Sequence, residues 1–378
     1  MPPKLPPHRE QIREAPKIYS LQTFRAGAAI LVLLFHATLI AEERFGYEFL
    51  NKLFAFGYTG VDFFFVLSGF IILYTYMDKV GRESNVWPYL YKRLFRIYPL
   101  YWIITSIKVA VIFLLPSVAK EHEKGWEFIV QSYLLIPQKT LPMIGAAWTL
   151  SHEVLFYLLF ALALLLPLRA SLLLAGCWIV STLAFYAGAV VGLSIPKTYI
   201  TLFLLNERNI EFLLGCLGAY IIRTQRDVWT KYDLQITGLG LALLVATSTF
   251  LTLSGSVPSY LLFFGLPSFF LIVGSALLEN RLGNHWPSLI ILLGDASYSI
   301  YLTHAMFMNV FILAAIKAGL LESTDLFTTT TTMVAFAILC GLGVHFVFER
   351  PLLNHLRNRR VPSFKPSVES ERAIQSHA

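Results

Sequence analysis

The chain has 378 residues, of which 56% are hydrophobic and only 14% charged, against about 25% charged in an average soluble domain. That composition excludes a soluble enzyme and indicates an integral membrane protein. The net charge of +7 is no sign of a nucleic-acid partner, because basic loops orient membrane proteins.

Residues 1–17 are rich in Pro and charge and are expected to form a disordered tail; 353–378 read as a second, basic tail, leaving 18–352 as the transmembrane domain. Within it ten apolar runs follow one another, at 20–41, 57–77, 97–115, 147–167, 171–192, 205–222, 235–253, 259–278, 289–314 and 327–348. Each is near the length needed to cross a bilayer, so the fold class is an all-α polytopic bundle of about ten transmembrane helices. The first run is long for a signal-peptide core and carries Arg25 and His36, which argues against cleavage. The longest loop, 118–146, contains "WEFIVQSYLLI", predicted to be a short interfacial helix. Cys177, Cys216 and Cys340 have no metal-ligand spacing and read as small packing residues; no metal is expected.

Alternate loops place 20 Lys and Arg on one side and 7 on the other, with Arg25, Lys108 and Arg208 inside spans. The short loops agree with the tails, so both termini are expected in the cytosol. This orientation puts His36, Asp62, Glu153, Arg208 with Glu211, and His304 in one layer about a third of the way in from the outer face, on five different spans. Each has a plain structural reading: Asp62 as a local cap, Arg208 and Glu211 as an i,i+3 salt bridge, His304 as an interhelical hydrogen bonder. Together they predict a polar site in the outer half, since buried ionisable groups face a bundle interior or a water-filled cavity. Arg25 and His36 stand eleven residues apart, hence on a common face and ~16 Å apart along the axis, with Arg25 in the inner half. Lys92, Arg93 and Arg96 crowd the cytosolic mouth of the third span, as a basic anchor facing anionic lipid or as a grip for phosphate.

Several motifs occur in a fixed order. Arg25 and His36 are separated by ten residues; "FFVLSGF" covers Phe64 to Phe70; "RLFRIYPLY" supplies Arg93, Arg96, Pro99 and Tyr101. "WTLSHEVLFY" supplies Trp148, Leu150, Glu153, Phe156 and Tyr157. "GDASYSIYLTH" supplies Gly294, Ser297, Tyr298, Ser299, Tyr301 and His304, and "ERP" closes the series at Glu349 to Pro351. The set resembles acyltransferase family 3, integral membrane enzymes that acylate surface or secreted carbohydrates, over about residues 18–352.

The resemblance implies an O-acyltransferase using acetyl-CoA or another acyl-CoA as donor and an exopolysaccharide, O-antigen or lipid-linked glycan as acceptor, in a bacterial inner membrane. Lys92, Arg93 and Arg96 are then expected to hold the CoA phosphates, with Arg25 on the pantetheine, a phosphate or a carboxylate. His36 is the expected general base, because an imidazole of ordinary pKa about 6.5 takes a proton near neutral pH. Glu153 is the favoured carboxylate to orient its ring and Asp62 the alternative. Trp148, Tyr157, Arg208, Tyr301 and His304 are the expected acceptor-binding set. No Ser or Cys elbow is visible; Ser68 with Gly69 reads as a close-packing pair, which favours direct attack by the acceptor hydroxyl, with an acyl-histidine still open. A transporter, or an acyltransferase for a macrolide or membrane lipid, are the alternatives. The loop 116–146 is the expected place for acceptor selection.

Overall fold

The computed structural model describes residues 18–116, 119–190, 197–282 and 286–358. The expected tails lie outside this range, apart from 353–358. Fifteen α-helices follow in chain order: α1 (Tyr19–Phe45), α2 (Gly60–Tyr76), α3 (Val86–Leu114), α4 (Trp126–Leu134), α5 (Trp148–Leu165), α6 (Leu168–Val190), α7 (Tyr199–Leu204), α8 (Arg208–Trp229), α9 (Asp233–Ser254), α10 (Leu266–Leu282), α11 (Ser288–Asp295), α12 (Ser297–Lys317), α13 (Leu320–Ser323), α14 (Leu326–Val344) and α15 (Arg350–Asn358). α15 continues six residues beyond the expected domain boundary at 352.

Among the described residues nine helical stretches are long and apolar enough to cross a membrane. One of them, Tyr199–Ser254, holds α7, α8 and α9; α8 is kinked at Gln225 and the 3-10 turn Thr230–Tyr232 separates it from α9. Among the described residues each of the ten apolar runs is helical over most of its length, residues 191–192 of the fifth lying outside them. The ninth run differs from expectation in one respect: it is not one helix but α11 and α12, broken at Ala296. Gly294, at the end of α11, presses on α1, where an added Cβ would lie 2.2 Å from the Gln22 carbonyl oxygen. The chain therefore turns where two backbones meet.

The tightest helix crossing explains Gly69 in α2. A Cβ on Gly69 would stand 1.9 Å from the Phe212 carbonyl oxygen, and one on Gly215 1.9 Å from that of Val66. α2 and α8 therefore pack backbone against backbone, as small residues allow in a membrane. Gly69 has the packing role read from sequence; Ser68 does not, because it faces the central cavity. Of the cysteines, Cys216 is half-buried with its Sγ 3.5 Å from the Gly69 carbonyl oxygen, whereas Cys177 is exposed on α6 and packs no core.

Polar contacts fix the helix ends. The first backbone N–H groups of α1, at Tyr19 and Ser20, each donate 2.9 Å to the Glu279 carboxylate of α10, satisfying donors that no helix can pair internally. The predicted interfacial helix is α4, and it lies along α3: Tyr101 Oη donates to the Ser132 carbonyl at 2.5 Å and Trp102 Nε1 to that of Tyr133 at 3.0 Å. Lys108, inside the third span, donates to Glu123 at 2.9 Å and to the Met143 carbonyl at 2.6 Å. The loop 116–146 is thus tied to the bundle at the end where α5 begins.

Candidate active site

α1, α2, α3, α5 and α12 enclose a cavity with about 780 Å³ of atom-free space, open solvent included. Its polar wall is built by helical spacing. Arg93 and Arg96 lie one turn apart on α3, Glu153 and Tyr157 on α5, and Tyr298 and Tyr301 on α12; Arg25 and Ser297 complete one side and Ser68 the other. Val61, Phe64 and Phe65 supply apolar surface.

Three arginines and one glutamate leave this wall positive. Arg25 donates to Ser297 Oγ at 3.0 Å and to Gln22 Oε1 at 3.2 Å. Glu153 accepts from Tyr157 Oη and, at 3.3 Å, from Ser68 Oγ. Arg93 lies over the Tyr76 ring, 6.0 Å from its centroid, and its Nε is buried with no partner. Among the described residues none of Arg25, Arg93 and Arg96 has a carboxylate within 4.0 Å. Three guanidinium groups facing one cavity, with a single glutamate there and none ion-paired to it, can receive an anion. Lys92, grouped with them by sequence, is exposed and outside the cavity lining.

His36 is not in that lining. Its Nδ1 lies 2.9 Å from the Val32 carbonyl oxygen and 3.2 Å from His304 Nε2, with ring centroids 4.7 Å apart. His304 is buried, and its Nδ1 lies 2.6 Å from the Tyr301 carbonyl oxygen. Tyr301, whose side chain lines the cavity, thus carries the histidine pair one turn further along α12. The Tyr301 hydroxyl contacts Thr149 Oγ1 at 3.0 Å and donates to the Ala146 carbonyl at 3.2 Å. Among the described residues, neither Glu153 nor Asp62 hydrogen-bonds His36, contrary to the expectation that a carboxylate orients its ring. His304 occupies that place.

Asp62 belongs to a separate cluster. It is fully buried and accepts from Arg208 Nε at 2.9 Å. Among the described residues Arg208 and Glu211 do not form the expected salt bridge; Glu211 is fully buried beside Asp62, and the two carboxyl groups share a side-chain hydrogen bond. The helix turn that would aim Arg208 at Glu211 instead leaves its guanidinium between aromatic rings, 3.8 Å from the Tyr260 centroid and 5.5 Å from that of Trp148. The single predicted layer is therefore three sites: the cavity with Glu153, the histidine pair, and the Arg208 cluster.

Tyr298, His152, His345, Ser299 and Glu349 have partners that the sequence did not indicate. Tyr298 lines the cavity and donates to the Ile97 carbonyl at 2.8 Å. His152 is buried, with Nδ1 2.7 Å from Asn209 Oδ1. His345 Nδ1 at 2.8 Å and Ser299 Oγ at 2.6 Å both meet Glu349, joining α12 to the π-helical turn His345–Glu349 after α14. His152 stands beside Glu153, and Ser299 and Glu349 fall in the motifs, so the signals were present but gave no partners.

A helical membrane bundle with an anion-accepting cavity and an adjoining histidine pair has the parts of an enzyme that handles a charged substrate. The comparisons make the class specific: the acyltransferase domain family matches residues 18–350, and the chain belongs to that family, acyltransferase family 3. It is a multi-pass membrane acyltransferase. It is 31% identical over 340 residues to the exopolysaccharide production protein ExoZ of Rhizobium meliloti, covering 87% of this chain and 97% of that one. It is 25% identical over 390 residues to acyltransferase MdmB of Streptomyces mycarofaciens, covering 95% and 96% of the two chains. With O-acetyltransferase OatA of Staphylococcus aureus it shares 25% identity over 315 residues, 75% of this chain and 49% of that one. No solved structure matches it.

Proposed function

We propose that the protein moves an acyl group, acetyl in the first instance, from acyl-CoA to a hydroxyl of an exported or cell-surface polysaccharide or lipid-linked glycan. The observation that carries this reading is the cavity in which Arg25, Arg93 and Arg96 face space with no carboxylate in ion-pair range. CoA brings several phosphate charges, and planar guanidinium groups suit them. The names of two relatives, an exopolysaccharide production protein and an O-acetyltransferase, support the acceptor class and the acetyl group. Membership of an acyltransferase family decides against the carrier alternative.

In this reading both termini are cytosolic and the membrane is a bacterial inner membrane, as the 20-to-7 distribution of basic residues supports. CoA enters at the α3 end, where Arg93 and Arg96 take its phosphates. The acyl-pantetheine arm runs along the cavity past Arg25 and Tyr301. Beyond the cavity lining, past Tyr301, His36 takes the proton of the acceptor hydroxyl, the oxygen bonds to the thioester carbonyl carbon, and the C–S bond breaks. The proton on His36 then passes to the departing thiolate, so the products are an O-acyl glycan and CoA thiol. Trp148, Tyr260 and Arg208 offer the acceptor two aromatic faces and a guanidinium. Glu153, with Ser68 and Tyr157, balances part of the arginine charge instead of orienting His36.

Membranes containing the protein, supplied with acetyl-labelled acetyl-CoA and exported glycan, test this. The expected result is alkali-labile label on the glycan with one CoA thiol released per ester. Label appearing on lipid or soluble small molecules and none on glycan would refute the acceptor class.

A further inference from the structure

We infer that His304 is a positioning residue that holds His36 in the one tautomer able to act as a base, with Nδ1 protonated and Nε2 bare. The inference rests on the acyl-transfer reading above for its purpose but on local geometry for its content.

Carbonyl oxygens only accept. The Val32 oxygen 2.9 Å from His36 Nδ1 and the Tyr301 oxygen 2.6 Å from His304 Nδ1 therefore require a proton on each Nδ1. Neutral His304 is then left with a lone pair on Nε2, and this atom faces His36 Nδ1 at 3.2 Å. The His36 Nδ1–H is shared between the Val32 carbonyl and His304 Nε2, and both contacts accept from the same nitrogen. His36 Nε2 has no hydrogen-bond partner among the described residues, and its ring is only half-buried. The opposite tautomer would set two lone pairs, His36 Nδ1 and the Val32 oxygen, against each other.

Backbone and aromatic rings hold the pair in place. His304 is fixed to its own helix through Tyr301, whose ring centroid is 6.0 Å from the imidazole. The Phe35 ring meets His36 edge-on at 5.1 Å. When His36 gains a proton at Nε2, the Nδ1–H becomes a charged donor and its bond to His304 strengthens, a gain made in the transition state and absent before it. Acid–base triads use a carboxylate for this task, and a wrong tautomer there costs about 10⁴ in kcat. Here a neutral imidazole does it, which avoids placing an uncompensated carboxylate at that depth.

The test compares His304→Gln, His304→Leu and wild type in nanodiscs. Gln carries an acceptor oxygen at the reach of Nε2 and Leu carries none. His304→Leu is expected to lower kcat at least tenfold with both KM values within about twofold, and His304→Gln to recover most of that loss. His36→Gln with His304→Leu should be no slower than His36→Gln alone. A wild-type rate in His304→Leu, a Gln variant as slow as Leu, or a loss confined to acceptor KM would each overturn the inference. Nitrogen-15 NMR of labelled histidines in the wild-type protein is a readout independent of activity. It should find His36 and His304 both as Nδ1–H forms; an Nε2–H His36 would overturn the inference even with full activity. A protein with the expected tautomers that transfers no acyl group would overturn the functional reading alone.

Discussion

Replacing Arg93 or Arg96 by Gln tests whether the cavity holds the donor by its phosphates. Among the described residues Arg93 Nε is buried without a hydrogen-bond partner and the guanidinium has no carboxylate within 4.0 Å, which leaves that donor for a ligand. A hydrogen bond to a charged group contributes about 1.5–3 kcal/mol, so losing one should raise the CoA dissociation constant about 10- to 150-fold. Arg93→Lys keeps the charge but not the planar fork and should fall between wild type and Gln. The assay is competition binding to purified protein in nanodiscs, with CoA and phosphate-free S-acetylpantetheine as paired ligands. CoA should weaken in both Gln variants and S-acetylpantetheine should not. In steady state the KM for acetyl-CoA should rise while that for glycan stays. Equal weakening of the two ligands, or equal rises of both KM values, would refute the grip.

Two structural predictions follow from contacts around the site. Asp62→Asn removes the fully buried carboxylate that pairs with Arg208 and leaves the arginine only the nearby Glu211; breaking this buried pair should cost up to about 3–5 kcal/mol, read as a lower melting temperature, and Asp62→Asn with Arg208→Gln should recover much of it. Gly69→Ala places a Cβ where 1.9 Å separates it from the Phe212 oxygen, so α2 and α8 must part at a cost of about 1–3 kcal/mol. Gly27→Ala, with nothing within 4 Å of its Cβ, serves as the control and should melt within about 0.5 kcal/mol of wild type.

The helices were legible because twenty-residue apolar runs have one solution in a bilayer. The sequence grouped Glu153 with His36 in an outer layer and left Arg93 and Arg96 at the mouth of the third span, yet these three line one cavity with Arg25, and His36 does not. What depth cannot give is the direction each side chain takes around its helix axis, or which helix stands opposite. His36, Asp62 and Glu153, grouped by the sequence in one layer, face three different neighbours: His304, Arg208, and the Ser68–Tyr157 pair. Lys92 follows the same logic, since one residue's rotation from Arg93 turns it out of the cavity. The break at Ala296 lies two residues from the close approach of Gly294 to the Gln22 backbone, a long-range meeting that hydropathy does not record.

The most direct measurement is acceptor-dependent release of CoA thiol from acetyl-CoA by the purified, reconstituted protein and its His36→Gln variant. Wild type should release thiol only when glycan is present, in step with ester formed. The variant, equally well inserted, should be slower by about 10²–10⁴. A His36→Gln protein that acylates the glycan at the wild-type rate would contradict the account.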